Sequence, residues 1–402
     1  MDETKDLITS PGGVLAVLCA VAAVWFFVEQ MSRSRFFNYV PPLLFIYATP
    51  VFLNNFDIIP AVSPVYDGLS SFVLPAFIVL MLIKVNVPAA VQVMGKGVLV
   101  MLMGTAGVMV GCVVSYIVVH RWLSPDAWTG FGALAGSWIG GTGNMAAAAE
   151  MLDTPPEQFG LAVLADNVIY LVWLPILLAS KNFADKFNRW AKVPEDRLKM
   201  MDAASAQTIE ADHVPAMRDY IYLAAIAIGV TWISGSLAES AFAWTQATFP
   251  ALEGMLTTST WRILLITTIA LALSVTPASR LPNSTALGTA MIYVFVAGMG
   301  ARASIEGFGE APAFLLGAFI WIAIHGAFCL LGARIFRVDV HSAAIASAAN
   351  IGAAASAPIV AAFHRSSLVP VSILMALIGY ALGNYLAPLA AHLARMAVGQ
   401  AP

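Results

Sequence analysis

The 402-residue chain is 60% hydrophobic and 11% charged, with a mean hydropathy of +0.82 and a formal net charge of −3. A soluble domain carries about 25% charged residues, so the composition excludes a soluble protein and gives no reason to expect a nucleic-acid partner. Continuous apolar runs, in place of alternating segments of about 10 residues, exclude a β-barrel. The expectation is an all-α polytopic membrane protein seated in a lipid bilayer.

Taken in chain order, the acidic start Met1-Asp-Glu-Thr-Lys-Asp leads into an apolar run over 12–31. That run ends in Phe27-Val-Glu-Gln without a small-residue cleavage pattern, so it reads as a retained first helix. Spanning takes about 20 predominantly apolar residues. Further candidate spans follow at 39–54, 64–83, 97–119, 131–150, 157–179, 218–238, 261–277, 285–301, 311–333, 341–362 and 368–394. The expected total is about twelve helices, with 39–54 and 261–277 short. Cys19, Cys112 and Cys329 fall inside apolar runs and read as buried, inert thiols.

A polar segment over 181–217 divides the chain into a first transmembrane half, 1–180, and a second, 218–402. The halves resemble each other. Leu82-Ile-Lys84-Val-Asn86 parallels Gly300-Ala-Arg302-Ala-Ser304, Ile139-Gly140 parallels Ile351-Gly352, and Pro175 parallels Pro388. Thr49-Pro50 and Thr276-Pro277 each close a short span. Repeated halves, related by inversion, are a common construction of secondary transporters, whose site lies where discontinuous helices meet. Two glycine-interrupted segments occupy corresponding places, at 132–150 and 341–360. Unwound backbone at that depth must be buried in protein or line a cavity.

Basic residues leave orientation open. Arg280, Arg334, Arg337 and Arg395 share one side against Arg302 and Arg365; Arg33, Arg35, Lys84 and Lys96 share one against Lys5 and Arg121. Placing both sets inside needs an odd number of crossings, for which 241–257 is a poor extra span. A cytoplasmic 181–217 segment instead makes one half break the rule.

Asp166 sits mid-span, where a carboxylate is costly and usually marks an ion, proton or substrate path. Hard cations take carboxylate, amide, hydroxyl and carbonyl oxygens. Ser137, Thr142, Asn144, Asp166 and Asn167 offer such a set for sodium, with Asp166 and Asn144 as its main ligands. The plainer reading pairs Asp166 with Lys84 or Arg302, and a lone buried carboxyl could equally carry a proton. A broken helix exposes N–H groups to anions and C=O groups to cations. Gly141, Gly143, Asn350, Gly352, Ser356 and Asn384 are therefore the candidate solute contacts. Ser347, His325, Glu150 and Tyr385 are weaker candidates, and Lys84 and Arg302 read as snorkelling side chains. No phosphate loop, zinc spacing or nucleophile elbow occurs, so neither an enzyme nor a cofactor beyond a coupling ion is expected.

The string Gly140-Gly141-Thr142-Gly143-Asn144, followed one helix later by Asp166-Asn167, resembles the crossover-helix region of the cation:proton antiporter and anion transporter superfamily. It is most similar to a poorly characterised bacterial branch, and more distantly to bile acid:sodium and glutamate:sodium symporters. The resemblance implies an inverted-repeat fold with two crossing broken helices, a core and a panel domain, a homodimer through the panel, and a place in the bacterial inner membrane. Asp166-Asn167 would match the paired acidic or acid-amide residues of that superfamily. One Asp beside an Asn, in place of two acids, speaks for a sodium-coupled symporter of a small organic anion or amino-acid-like solute. The alternatives are a sodium/proton antiporter using Asp166 and, in another class, a non-transporting receptor or scaffold.

Overall fold

The computed structural model describes residues 6–31, 42–85, 95–194, 215–250, 256–303, 309–365 and 368–400, and these contain helices and no strand. The first half contributes α1 (Pro11–Met31), α2 (Pro42–Asn55), α3 (Pro64–Leu82), α4 (Lys96–Val119), α5 (Ala127–Gly140), α6 (Thr142–Met151) and α7 (Pro156–Ala179). A short α8 (Ala184–Ala191) follows. The second half contributes α9 (Met217–Thr248), α10 (Thr258–Ser274), α11 (Ser284–Ala301), α12 (Ala311–Phe336), α13 (Val340–Asn350), α14 (Ala353–His364) and α15 (Val369–Ala397). Eight helices among the described residues are long and apolar enough to cross a membrane.

The sequence sets many of these boundaries locally. Proline opens α1, α2, α3 and α7, where its missing N–H costs nothing and its fixed φ suits a first turn. Ser63, Thr257 and Asp339 cap α3, α10 and α13 by accepting a backbone N–H on their side-chain oxygens. Residues expected as a poor extra span from 241 continue α9 as far as Thr248. Pro50 lies inside α2 rather than closing it, and Cys19 is exposed on α1 rather than buried.

The main departure concerns the two glycine-interrupted segments. As broken crossing helices, 132–150 and 341–360 would each continue in one direction. Instead each doubles back. A Cβ on Gly136 would overlap the Asn144 carbonyl, a Cβ on Gly132 would overlap the Leu152 side chain, and Thr154 Oγ1 donates to Thr129 O at 3.4 Å. In a continuous helix positions 132 and 152 would be about 30 Å apart. In the second segment the His341 and His364 rings lie 5.2 Å apart, and Ser356 Oγ donates to Ala348 O and Ile351 O at 2.8 Å each. Thus α5–α6 and α13–α14 are helical hairpins, whose arms begin and end together.

Contacts between helix ends sort the bundle into two faces. One, the terminal face, gathers Leu7 with Asp57, Asn54 with Ala303, Ser124 with Glu310 and Gln158, Met151 with Thr260, Thr245 with Trp261, and Trp128 with Arg395. The other, the linker face, gathers Leu177 with His364, Lys181 with Phe363, Asn188 with Val340, and Tyr220 with Asn283. The first hairpin is therefore based on the terminal face and the second on the linker face. They point at each other through the protein.

Candidate functional site

The hairpin tips meet. Gly141 turns the first tip at φ +83°, and Gly352 turns the second at φ +92° with Ala353 beside it at φ +47°. A Cβ on Gly141 would lie 2.9 Å from the Ala353 Cβ, so a side chain at 141 would drive the tips apart. At each tip a new helix starts, α6 at Thr142 and α14 at Ala353. The first N–H groups of those helices have no intrahelical acceptor and carry the positive end of the helix dipole. Two such ends converge in the interior. Tyr380 of α15 flanks the first tip, its Cε1 3.3 Å from that same Gly141 position. Tyr170 of α7 flanks the second, 3.2 Å from the equivalent position on Gly352.

Asp166, midway along α7, is held by the first hairpin. Ser137 Oγ donates to Oδ2 at 3.0 Å and Trp138 Nε1 donates to Oδ1 at 2.9 Å. Trp138 is fully buried and packs on Trp321, whose own indole donates to Val108 O of α4 at 2.7 Å. Neither Lys84 nor Arg302 bonds the carboxylate; they follow the ends of α3 and α11, on the linker and terminal faces. Among the described residues, Asp166 thus meets only neutral donors.

The expected cation set does not converge on one point. Ser137 and Asp166 come together. Asn144 does not join them: its Nδ2 donates to Asn384 Oδ1 at 2.8 Å and to Tyr380 O at 3.0 Å, and Asn384 Nδ2 donates on to Thr267 Oγ1 at 2.9 Å. Asn167 is turned onto its own helix, donating to Val163 O at 2.7 Å. Thr142, half-buried, opens α6 at the tip beside Gly141 and Gly143. Beside Asn144 and Asn384 lies a void of about 10 Å³, walled by Phe77, Met81 and Tyr380. That is at the lower limit for one water, so the site is closed around its polar groups.

A second polar cluster joins the other hairpin to α4, α7 and α12. Asn350, the last residue of α13, donates from Nδ2 to Thr105 Oγ1 at 2.9 Å. Its Oδ1 is buried without a hydrogen-bond partner among the described residues and faces Gly104, near Cys329 and the His325 ring. Ser347 Oγ receives Trp173 Nε1 at 3.0 Å and lies 2.9 Å from His325 Nε2, while His325 Nδ1 lies 3.0 Å from Gly104 O. Ser356 serves the hairpin itself, since its hydroxyl answers the loose carbonyls at the end of α13. Glu150 is remote from the tips, paired with Arg262 at 3.0 Å on the terminal face. Tyr385 Oη lies 2.8 Å from Thr268 Oγ1, and both residues are partly exposed.

Trp138, Tyr170, Tyr380, Thr105 and Thr267 went unselected as site residues. Trp138 had a signal, because a buried indole N–H seeks an acceptor and Asp166 is the nearest acid one helix on. The threonines had none, being single hydroxyls inside long apolar helices.

A family model described as a protein of unknown function (DUF819) matches residues 16–397. The chain belongs to that family. It is 27% identical over 377 residues to the uncharacterized membrane protein YjcL of Bacillus subtilis (strain 168), covering 92% of this chain and 94% of that protein. The match spans both hairpins and every site residue named above.

Proposed function

We propose that this membrane protein is a sodium-coupled symporter of a small organic anion or amino-acid-like solute, working by alternating access. The carrying observation is the meeting of two opposed helical hairpins at Gly141 and Ala353, with two helix N-termini converging there. Those ends favour a carboxylate or similar anion. Asp166 with Ser137, and the unpartnered Asn350 oxygen, supply hard oxygens for a cation nearby. The tips touch, so a solute enters only when one hairpin moves away from the other.

The arrangement also supports an inverted repeat. Among the described residues, each half holds five helices running between the faces (α1, α2, α3, α4, α7, then α9, α10, α11, α12, α15) and one hairpin. Because five is odd, the second half runs opposite to the first, with no need for a span at 241–257. It also regroups the basic residues. Lys84, Lys96, Lys181, Lys186, Arg189, Lys192, Arg218, Arg280, Arg334, Arg337 and Arg365 fall on the linker face, against Arg121, Arg262, Arg302 and Arg395 on the terminal face. The excess speaks for a cytoplasmic linker face, with the bacterial inner membrane as the proposed membrane.

The test is reconstitution into liposomes after a thermal-shift screen of organic acids and amino acids with and without sodium. A solute that raises the unfolding midpoint only with sodium identifies the pair by linkage, and its uptake should follow the sodium gradient. Asp166→Asn, folded by the same assay, should abolish sodium-driven uptake; normal uptake in that variant sinks the proposal. The antiport reading rests on a carboxylate solvated only by neutral donors, and predicts that sodium alone moves protons in dye-loaded liposomes.

A further inference from the structure

A cavity of about 210 Å³ lies away from the hairpin tips, between α7, α8, α12 and α13. It is larger than the ~150 Å³ apolar cavity that holds benzene. Its mouth is at the linker face beside Ser180, Phe183 and Phe187, and its deep end reaches Trp173, Cys329 and Ser347. Ser180 to Trp173 is seven residues of helix, roughly 10 Å of depth. Ser347, at the deep end, already bonds Trp173 and lies against His325, so water finds few partners there. Two wall residues, Ile176 and Leu330, are 49% and 50% exposed on the outside of the bundle, which opens the cavity sideways toward lipid.

The mouth is framed by α8, Ala-Asp-Lys-Phe-Asn-Arg-Trp-Ala, which separates its apolar and charged faces sharply. Phe187 turns into the cavity, while Lys186, Arg189 and the following Lys192 are exposed with Asp185 as the one acid in the helix. Such helices lie in the headgroup plane, and basic residues there attract anionic lipid. We propose that this cavity holds one acyl chain of an anionic phospholipid, with its phosphate against Lys186 and Arg189. The chain would pack along Ala343, Ala344 and Ser347 of α13, the first arm of the second hairpin, so occupancy bears on that hairpin's freedom to move.

The purified chain in detergent is titrated with dioleoyl phosphatidylglycerol, with dioleoyl phosphatidylcholine and with glycerol phosphate, following the unfolding midpoint. The phosphatidylglycerol shift should exceed the phosphatidylcholine shift, and glycerol phosphate should give none. Lys186→Gln with Arg189→Gln should reduce the phosphatidylglycerol shift to the phosphatidylcholine level. Ala344→Phe, which fills the cavity, should abolish the response to both lipids; Ala343→Leu replaces it where that variant fails to fold. Equal shifts for the two lipids in the unmodified chain, a full response in the filled variant, or an equal shift from glycerol phosphate each overturn the proposal.

Discussion

The two hairpins share a plan and differ in what holds them. The first arms of both are buried along their whole length, and the polar residues of hairpin one reach outward to two different helices, Ser137 and Trp138 to Asp166 of α7 and Asn144 to Asn384 of α15. Hairpin two also reaches outward, through Asn350 Nδ2 to Thr105 and through Ser347 to Trp173 and His325, but it spends Ser356 on its own carbonyls and leaves Asn350 Oδ1 without a partner among the described residues. A fully answered element resists displacement, because each broken bond strands a buried group at a cost of about 1–3 kcal/mol. Under the proposed function, hairpin one is then the fixed wall of the site, and hairpin two the arm whose buried Asn350 oxygen makes no hydrogen bond among the described residues.

The largest expected effect is at the tips. Gly141 has φ +83° and ψ −175°, a region open essentially to glycine, whereas Gly352 at φ +92° and ψ −1° is nearer the left-handed region. Gly141→Ala adds that strain to a collision with Ala353 and should cost roughly 2–5 kcal/mol. Gly352→Ala meets Ser356 Oγ at 2.6 Å and its Cβ at 3.0 Å, so it strains that side chain's bonds to Ala348 and Ile351, and should cost about 1–3 kcal/mol. Equal losses in chemical denaturation would break the distinction between a tightly built tip and a looser one.

Asn384→Leu probes the outward bonds of hairpin one. It removes the acceptor for Asn144 and should destabilise by about 1–3 kcal/mol while also lowering uptake. Asn350→Leu is the matching change in hairpin two. Thr105 keeps the option of bonding back to its own helix, so stability should fall by less than about 1 kcal/mol. Uptake should nevertheless be lost. A variant that loses stability and keeps uptake would make Asn350 a packing residue.

Much of this was legible in the sequence, and the largest miss has one cause. The helix limits were readable because apolar length and opening prolines are local signals, and 157–179 against Pro156–Ala179 is typical. Asp166 and Ser137, grouped in the sequence as oxygens for a cation, do meet, with Ser137 donating to the carboxylate. The reversal at Gly141 was not readable. A glycine break looks the same whether the chain continues or turns back, and only the packing of Gly136 on Asn144 and Gly132 on Leu152 decides between them. That one ambiguity also hid the odd number of crossings. With it resolved, Arg365 joins Arg280, Arg334 and Arg337, and Arg395 leaves them, so the charge pattern that conflicted in sequence becomes one-sided.

The smallest and most informative contrast is at the hairpin bases. Hairpin one is closed by an ion pair, Arg262 Nη2 to Glu150 Oε1 at 3.0 Å, with side chains 21% and 20% exposed. Hairpin two is closed by imidazoles. His364 Nε2 lies 2.9 Å from Leu177 O and must donate; burial disfavours the charged form of both rings, so His364 Nδ1 accepts the proton of His341 Nδ1 across 2.9 Å. A double-mutant cycle on Arg262→Gln and Glu150→Gln should return a coupling of about 1 kcal/mol that shrinks as salt rises toward 1 M. His341→Phe should also cost about 1 kcal/mol, but with no dependence on salt, because no net charge is paired there. If both bases respond alike to salt, hairpin two is pinned by charge too, and the case for its being the mobile partner fails at the one place where the two hairpins are otherwise most alike.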